Sequence, residues 1–137
     1  MERRAGGNCG MGSRSLLIVD DDANVREALA RWFTMRGYAV TTAEDGMEAI
    51  ARCREKAFTI ITLDLEMPKL SGLDALAPLR ELQPGVPIVV LTGYGRDAEA
   101  ALSRGAAKVL MKPMRLTGLE AELDELLAGR DSDPPAN

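Results

Sequence analysis

Acidic residues follow two apolar runs of this sequence directly. Residues 20–22 are all aspartate and come straight after the apolar residues 16–19, and Asp64 ends a second apolar run, 58–63. Carboxylate oxygens are ligands that Mg²⁺ takes in proteins, and a carboxylate can also form an acyl phosphate as a covalent intermediate. The aspartates that follow these two apolar runs therefore predict a site that binds a divalent cation and accepts a phosphoryl group.

Two further apolar runs end in side chains that suit the same chemistry. Residues 86–91 are followed by Thr92, and residues 106–111 are followed by Lys112 and Pro113. A threonine hydroxyl can donate to a phosphoryl oxygen, and a lysine supplies a point positive charge. Alone, either residue is more often structural or solvated, so the prediction depends on all four runs together. Pro113 would fix the loop that carries Lys112, and the sequence leaves open whether their peptide bond is cis.

The elements that must position these residues follow from the hydrophobic pattern. Each short apolar run indicates a buried strand, and the stretches between the runs have helical periodicity. Strands are predicted at 15–20, 38–43, 58–64, 86–92 and 107–111, and helices at 23–36, 47–56, 73–82, 96–104 and 116–128. This alternation predicts a parallel sheet with helices on both faces. The carboxyl ends of parallel strands meet at one edge, where open α/β sheets bind their ligands.

Three carboxylates at one edge repel one another. Two unit charges about 4 Å apart cost roughly 4 kcal/mol at an effective dielectric near 20, so Asp20, Asp21 and Asp64 need a counterion or a raised pKa. Mg²⁺ is the expected counterion. Asp22 has two interpretations, as part of this cluster or as the N-cap of the first helix. For Glu66 we expect a side chain that faces solvent and a backbone carbonyl that can reach the metal.

Composition narrows the classes of function. The 137 residues suggest one domain, and a net charge of -4 without a basic patch argues against direct nucleic-acid binding. No apolar stretch approaches membrane-spanning length and no signal peptide is visible, so a cytoplasmic location is expected. The chain contains no histidine, which excludes a Ser-His-Asp triad and means that the chain could only receive a phosphoryl group from a histidine elsewhere.

Residues 1–14 are expected to be a disordered tail, residues 15–128 the domain, and residues 129–137 a short tail or linker stub.

Four segments together make the chain resemble the receiver domain of the two-component response regulators. They are LLIVDDDANVREAL, TLDLEMPKLSGLDAL, VVLTGYG and VLMKP. The resemblance covers about Ser15 to Ala128 and implies a flavodoxin-like (CheY-like), doubly wound fold with a five-stranded parallel sheet flanked by five helices. Gly72 matches the glycine that follows the acceptor in the family.

The resemblance also implies a role for each residue at the predicted edge. It implies that Asp64 is the phospho-acceptor in a Mg²⁺-dependent reaction and that Thr92 and Lys112 contact the phosphoryl group as switch residues. The metal ligands that it implies are Asp20, Asp21, Asp64 and the backbone carbonyl of Glu66.

The implied partners are proteins. The phosphoryl donor would be a histidine kinase or a histidine phosphotransfer protein, and a downstream protein would bind the face made by the fourth helix, fifth strand and fifth helix. The chain would be a signalling phospho-acceptor that catalyses only its own phosphorylation and dephosphorylation. Many family members carry an aromatic residue where this chain has Val109, so an aromatic switch is not expected here. For Met111, core packing is expected ahead of the alternative, apolar contact surface on that face.

Two alternatives come from other classes of protein. The first is a Mg²⁺-dependent phosphatase with an aspartyl nucleophile, since Asp20 and Asp22 have the spacing of a nucleophile and a second acid. Such enzymes need a cap over the substrate, and the sequence has no insertion long enough to form one. The second is a receiver-like binding module that acts without phosphorylation. The complete set of Asp64, Thr92 and Lys112 argues against it.

Overall fold

A computed structural model describes residues 14–67 and 71–131, without the side chains of residues 96 and 129–131. The predicted N-terminal tail, apart from Arg14, and residues 132–137 of the predicted C-terminal tail lie outside the described residues. So does Pro68, which the sequence places in the loop after Asp64.

Five strands and five α-helices alternate along the described chain. The strands are β1 (Ser15–Val19), β2 (Ala39–Ala43), β3 (Ile60–Asp64), β4 (Ile88–Thr92) and β5 (Lys108–Met111). The helices are α1 (Ala23–Met35), α2 (Gly46–Glu55), α3 (Gly72–Leu82), α4 (Ala98–Ser103) and α5 (Leu116–Asp131), with a 3₁₀ turn at Gly95–Asp97 before α4. The strands form one sheet in the order β2-β1-β3-β4-β5, and every pair is parallel. The predicted doubly wound α/β fold is confirmed.

The central strands β1, β3 and β4 are buried at nearly every position, so their side chains pack on both faces of the sheet. Successive side chains of a strand point to opposite faces. On β1, Leu17 and Val19 therefore pack with α2, α3 and α4, whereas Leu16 and Ile18 pack with α1 and α5. All four side chains are at most 1% exposed. This two-sided burial holds the strand ends, and the polar residues that follow them, in fixed positions.

Some element bounds differ from the predicted ones for local reasons. Strand β4 begins at Ile88 rather than at residue 86, since Pro87 has no N–H to donate to the sheet, although its carbonyl still accepts from Ile61 N at 3.1 Å. The predicted helix 96–104 is a 3₁₀ turn followed by the short α4, and Gly105 ends it with a φ of 108°. Helix α5 continues through residue 129 to Asp131, since a glycine weakens a helix without necessarily ending it.

The turn from β1 into α1 depends on Asp22. Its carboxylate accepts from Asn24 N at 2.9 Å and from Val25 N at 3.4 Å, so it is the N-cap of α1. Of the two interpretations of Asp22, the structure therefore supports the helix N-cap. Within residues 14–67 and 71–131, no helix is both long and apolar enough to cross a membrane.

Candidate functional site

Three aspartates lie together at the carboxyl edge of the sheet. Strands β1 and β3 are neighbours with Val19 opposite Leu63, so the residues that follow them come side by side. Carboxylate oxygens of Asp20, Asp21 and Asp64 lie within 4.8 Å of one another. Asp20 and Asp64 are buried and Asp21 is exposed. Three converging carboxylates fit a hard divalent cation such as Mg²⁺ by the chemistry of the donor set.

Asp20 is held in place by the backbone around it. Its Oδ1 accepts from Asp22 N at 2.9 Å, and its own N–H donates to Ala43 O on β2 at 3.1 Å. Arg26 donates to the Asp20 carbonyl at 2.8 Å. Burial raises the pKa of the Asp20 carboxyl, against the opposing effects of the Asp22 N–H and the Lys112 charge. A cation beside it would stabilise its charged form.

Asp64 is a buried carboxyl with both of its protein hydrogen bonds on one oxygen. Its Oδ1 accepts from Lys112 Nζ at 3.0 Å and from Glu66 N at 3.1 Å. Neither contact uses Oδ2, which leaves that oxygen for attack on an incoming group. Burial, helped by the charge of Asp20, raises the pKa of Asp64 to about 6, although the Lys112 hydrogen bond acts to lower it.

Lys112 reaches the cluster from the loop after β5. Its N–H donates to Thr92 O at 2.8 Å, and the Lys112–Pro113 peptide bond is cis. Its Nζ lies 3.0 Å from Asp64 Oδ1 and 3.6 Å from Glu66 Oε1. Burial lowers the pKa of Lys112, but the hydrogen bond to Asp64 and the surrounding carboxylates outweigh it, so the net shift is upward. The lysine is therefore a permanent positive charge beside Asp64.

The Glu66 side chain belongs to the site, and the expectation that it faces solvent is wrong. Its Oε2 accepts from the Thr92 hydroxyl at 2.5 Å and its Oε1 from Gly93 N at 3.2 Å. The cause is the loop after β3: Leu65 N donates to Leu91 O, which keeps the chain beside the end of β4 for one more residue. The predicted role of the Glu66 carbonyl as a metal ligand stays a prediction.

The remaining residues singled out in the sequence have clear positions. A Cβ on Gly72 would lie 2.6 Å from Asp64 O and 2.7 Å from Leu65 Cα, so a glycine is needed there by close backbone approach. Val109 packs against the core on the α2–α4 side. Met111 is 46% exposed, which corrects the expectation of core packing. It is the last residue of β5, the strand at one edge of the sheet.

Comparison with known proteins agrees with this geometry. Residues 16–124 match the family described as the response regulator receiver domain. The structure is similar to a CheY-like response regulator receiver domain protein from Methanospirillum hungatei JF-1, with a TM-score of 0.85 and 26% identity over 90% of this chain and 100% of that chain. A response regulator from Burkholderia pseudomallei, solved with a phosphorylated aspartic acid, a calcium ion and citrate, has a TM-score of 0.76 and 35% identity over 86% of this chain and 73% of that chain.

Among curated proteins, the transcriptional regulatory protein PrrA of Mycobacterium tuberculosis is 38% identical over 125 residues, which are 90% of this chain and 54% of PrrA. Several of the curated relatives are named transcriptional regulatory proteins, and the chain spans between 26% and 54% of their length. They therefore do not support the expectation that there is no direct nucleic-acid binding. The family match covers most of the chain, and the fold and acidic edge agree with it: the chain belongs to the receiver-domain family of two-component response regulators.

Proposed function

We propose that this receiver accepts a phosphoryl group on Asp64 from a histidine kinase or a histidine phosphotransfer protein and then controls a downstream protein. The observation that carries the proposal is the convergence at one sheet edge of a buried carboxylate, a lysine 3.0 Å from it and an acidic pair. The Burkholderia structure supports it, because that relative holds a phosphorylated aspartic acid and a divalent cation.

The proposed chemistry is a displacement at phosphorus. Asp64 Oδ2 attacks the phosphoryl group, a new O–P bond forms, and the bond from phosphorus to the donor breaks. The bonding electron pair leaves with the donor atom, which for a phosphohistidine is an imidazole nitrogen that then takes a proton. Lys112 stands beside Oδ1 and can attract an oxygen of the arriving group.

Asp20, Asp21, Asp64 and the Glu66 carbonyl would hold Mg²⁺. When bound, the ion would neutralise charge on the carboxylates and on the phosphoryl oxygens. Burial raises the pKa values of Asp20 and Asp64, so negative charge is already unfavourable at this edge of the sheet. A bound cation would therefore be needed before the site could accept a dianionic phosphoryl group at neutral pH.

The conformational change that follows phosphorylation would extend from Thr92 and Lys112 to the face formed by α4, β5 and α5. Tyr94, Leu102 and Met111, each about half exposed, lie at or beside this face and offer apolar contact to a protein partner. We expect phosphorylation to shift the amide resonances of residues 98–111 more than those of α2. Equal shifts in both regions would argue against this output face.

The position of Asp22 argues against the phosphatase alternative. As a second acid it would have to act beside Asp20, but its carboxylate caps α1 and it lies outside the carboxylate cluster. The family match likewise favours a signalling phospho-acceptor over an enzyme that turns over a separate substrate. We place the protein in the cytoplasm as part of the same proposal.

The test is the intact mass of the protein after incubation with acetyl phosphate, with and without Mg²⁺, beside the Asp64→Asn variant. We expect a gain of one phosphoryl group that requires both Mg²⁺ and Asp64. No gain from acetyl phosphate or from a histidine kinase would favour the phosphorylation-independent binding module. Continuous release of inorganic phosphate from a generic phosphate ester would favour the phosphatase.

A further inference from the structure

We propose that the cavity between the first two turns of α1 and the start of α5 binds a small apolar molecule that carries one negative charge, such as an aromatic carboxylate. The cavity has a volume of about 490 Å³ and lies beside the acidic edge of the sheet. Ordinary small-molecule sites have volumes of this order, and they are concave and mostly apolar with a few polar groups. The inference goes beyond the proposed function, since it concerns a ligand other than the phosphoryl group and its metal.

Apolar side chains from three elements line the cavity. Leu29 on α1, Leu91 on β4 and Leu119 on α5 belong to the core and are each at most 6% exposed. Val25, in the first turn of α1, also lines the cavity and is 38% exposed. An apolar ligand body would displace water from Val25 and cover the three leucines, and burying apolar surface in this way favours binding.

Contacts further along α1 and α5 hold the two helices that form the walls. Glu120 on α5 accepts from Trp32 Nε1 at 3.1 Å and from Arg36 Nε at 2.7 Å. One turn later, Asp124 Oδ1 accepts from the Tyr38 hydroxyl at 3.0 Å. The cavity is therefore preformed, and a ligand that enters it does not have to separate the helices, which lowers the cost of binding.

The charged groups of the lining favour an anionic ligand. Of the described residues that line the cavity, Lys112 and Arg115 are cationic and Asp20 is acidic. Lys112 Nζ already lies 3.0 Å from Asp64 Oδ1, whereas the exposed Arg115 side chain has no hydrogen-bond or ion-pair partner among the described residues. Its guanidinium can therefore take a carboxylate through two parallel hydrogen bonds. Repulsion from Asp20 would keep the negative group of the ligand away from the acidic edge.

The test is an NMR titration of the whole protein in EDTA, without a phosphoryl donor, with three probes of similar shape and different charge. Naphthaleneacetate is the anion, naphthaleneacetamide is the neutral probe and naphthylmethylammonium is the cation. We expect the anion to shift the methyl resonances of Leu29, Leu91 and Leu119 with a dissociation constant on the order of 1 mM or below, as a ligand of this size allows. The amide should bind about two- to five-fold more weakly, the scale of one exposed ion pair, and the cation more weakly still.

Substitutions in the lining separate this cavity from other surfaces. Ala28→Phe and Val25→Phe each place a ring at the cavity, so we expect both to abolish the shifts caused by the anion, whereas Ala51→Phe, at an exposed alanine on α2, should bind it as wild type does. Arg115→Gln should make the anion and the amide bind equally. Arg31→Gln, at an exposed arginine on α1 outside the lining, should keep the difference between them.

Several results would overturn the inference. One is unchanged binding in both phenylalanine variants of the lining, and another is the absence of shifts at the three leucines with every probe. Equal binding of all three probes would contradict the assigned class of ligand. Shifts at these leucines that appear with a histidine kinase and with none of the probes would assign the cavity to a protein partner instead. Because the titration uses no phosphoryl group, failure of the proposed function would leave its outcome unaffected.

Discussion

At the scale of single residues, the site contains buried carboxylates whose charged forms are destabilised by burial. Asp64 is 2% exposed, and its pKa is raised to about 6 even though Lys112 is within hydrogen-bonding distance. A carboxyl whose pKa is raised on folding binds its proton more tightly in the folded state than in the unfolded one. Its contribution to stability is therefore full below its ordinary pKa and is lost as pH rises through about 6. Without a metal, the fold is therefore less stable at neutral pH, where Asp64 is charged, than it would be with Asp64 protonated.

We expect Asp64→Asn to raise the free energy of unfolding in EDTA at pH 7.5 by on the order of 1–2 kcal/mol, since an uncharged amide avoids the cost of burying a charge. At pH 4, where Asp64 is protonated in the folded protein, the gain should be much smaller. Urea unfolding at both pH values measures the difference, with Glu81→Gln as the control for an exposed carboxyl. A loss of stability at pH 7.5 would contradict the account of Asp64.

At the scale of elements, the position of the acceptor depends on how closely α3 approaches β3. The backbone of Gly72 begins α3 directly against the carbonyl of Asp64 and the Cα of Leu65. A second tie lies at the other end of α3, where Gln83 is 5% exposed. Its side chain accepts from Phe58 N at 3.0 Å and donates to Cys53 O and Lys56 O at 3.0 and 2.9 Å. These three hydrogen bonds connect the end of α3 to the last part of α2 and to the segment between α2 and β3.

Gly72→Ala should lower the free energy of unfolding by roughly 1–3 kcal/mol, because the new methyl group meets backbone atoms that cannot rotate away. It should also reduce phosphorylation of Asp64, whose carbonyl it displaces. Gly118→Ala is the control: its Cβ meets only Met114 Cε, at 3.6 Å, and alanine favours a helix over glycine by up to about 1 kcal/mol. Equal stability of the two variants in thermal unfolding would contradict the close-approach argument.

Gln83→Met keeps the volume of the side chain and removes its three hydrogen bonds. We expect the free energy of unfolding to fall by roughly 2–4 kcal/mol, because one buried N–H and two carbonyls lose their partner. The rate of Asp64 phosphorylation in the folded protein should change little, since Gln83 lies at the opposite edge of the sheet. A loss below about 0.5 kcal/mol in urea unfolding would show that these groups find other partners.

At the scale of the whole molecule, one sheet brings together residues that are far apart in the sequence. Asp20, Asp64, Thr92 and Lys112 could be predicted as neighbours because each follows a strand, and parallel strands end at one edge. The Glu66 side chain could not be predicted, because its direction depends on how the loop after β3 continues beside β4. The exposure of Met111 could not be predicted either, because the apolar pattern of β5 does not show that it is an edge strand whose last residue is exposed.

Mg²⁺ should stabilise the folded protein as a whole. A ligand at ten times its dissociation constant adds about 1.4 kcal/mol, so we expect a rise in melting temperature that depends on Mg²⁺ concentration. Asp20→Asn should remove most of this rise, since it deletes one buried carboxylate of the cluster. Glu81→Gln should keep it. An undiminished rise in Asp20→Asn would place the cation elsewhere.

The most direct test of the central claim is to find which residue carries the phosphoryl group. Borohydride reduces an aspartyl acyl phosphate to homoserine, so the protein treated with acetyl phosphate and Mg²⁺ is reduced, digested and sequenced by mass spectrometry. We predict homoserine at position 64 and aspartate unchanged at positions 20 and 21. Homoserine at either of those two positions, or unmodified aspartate at all three in protein that has gained a phosphoryl group, would contradict the assignment of Asp64 as the acceptor.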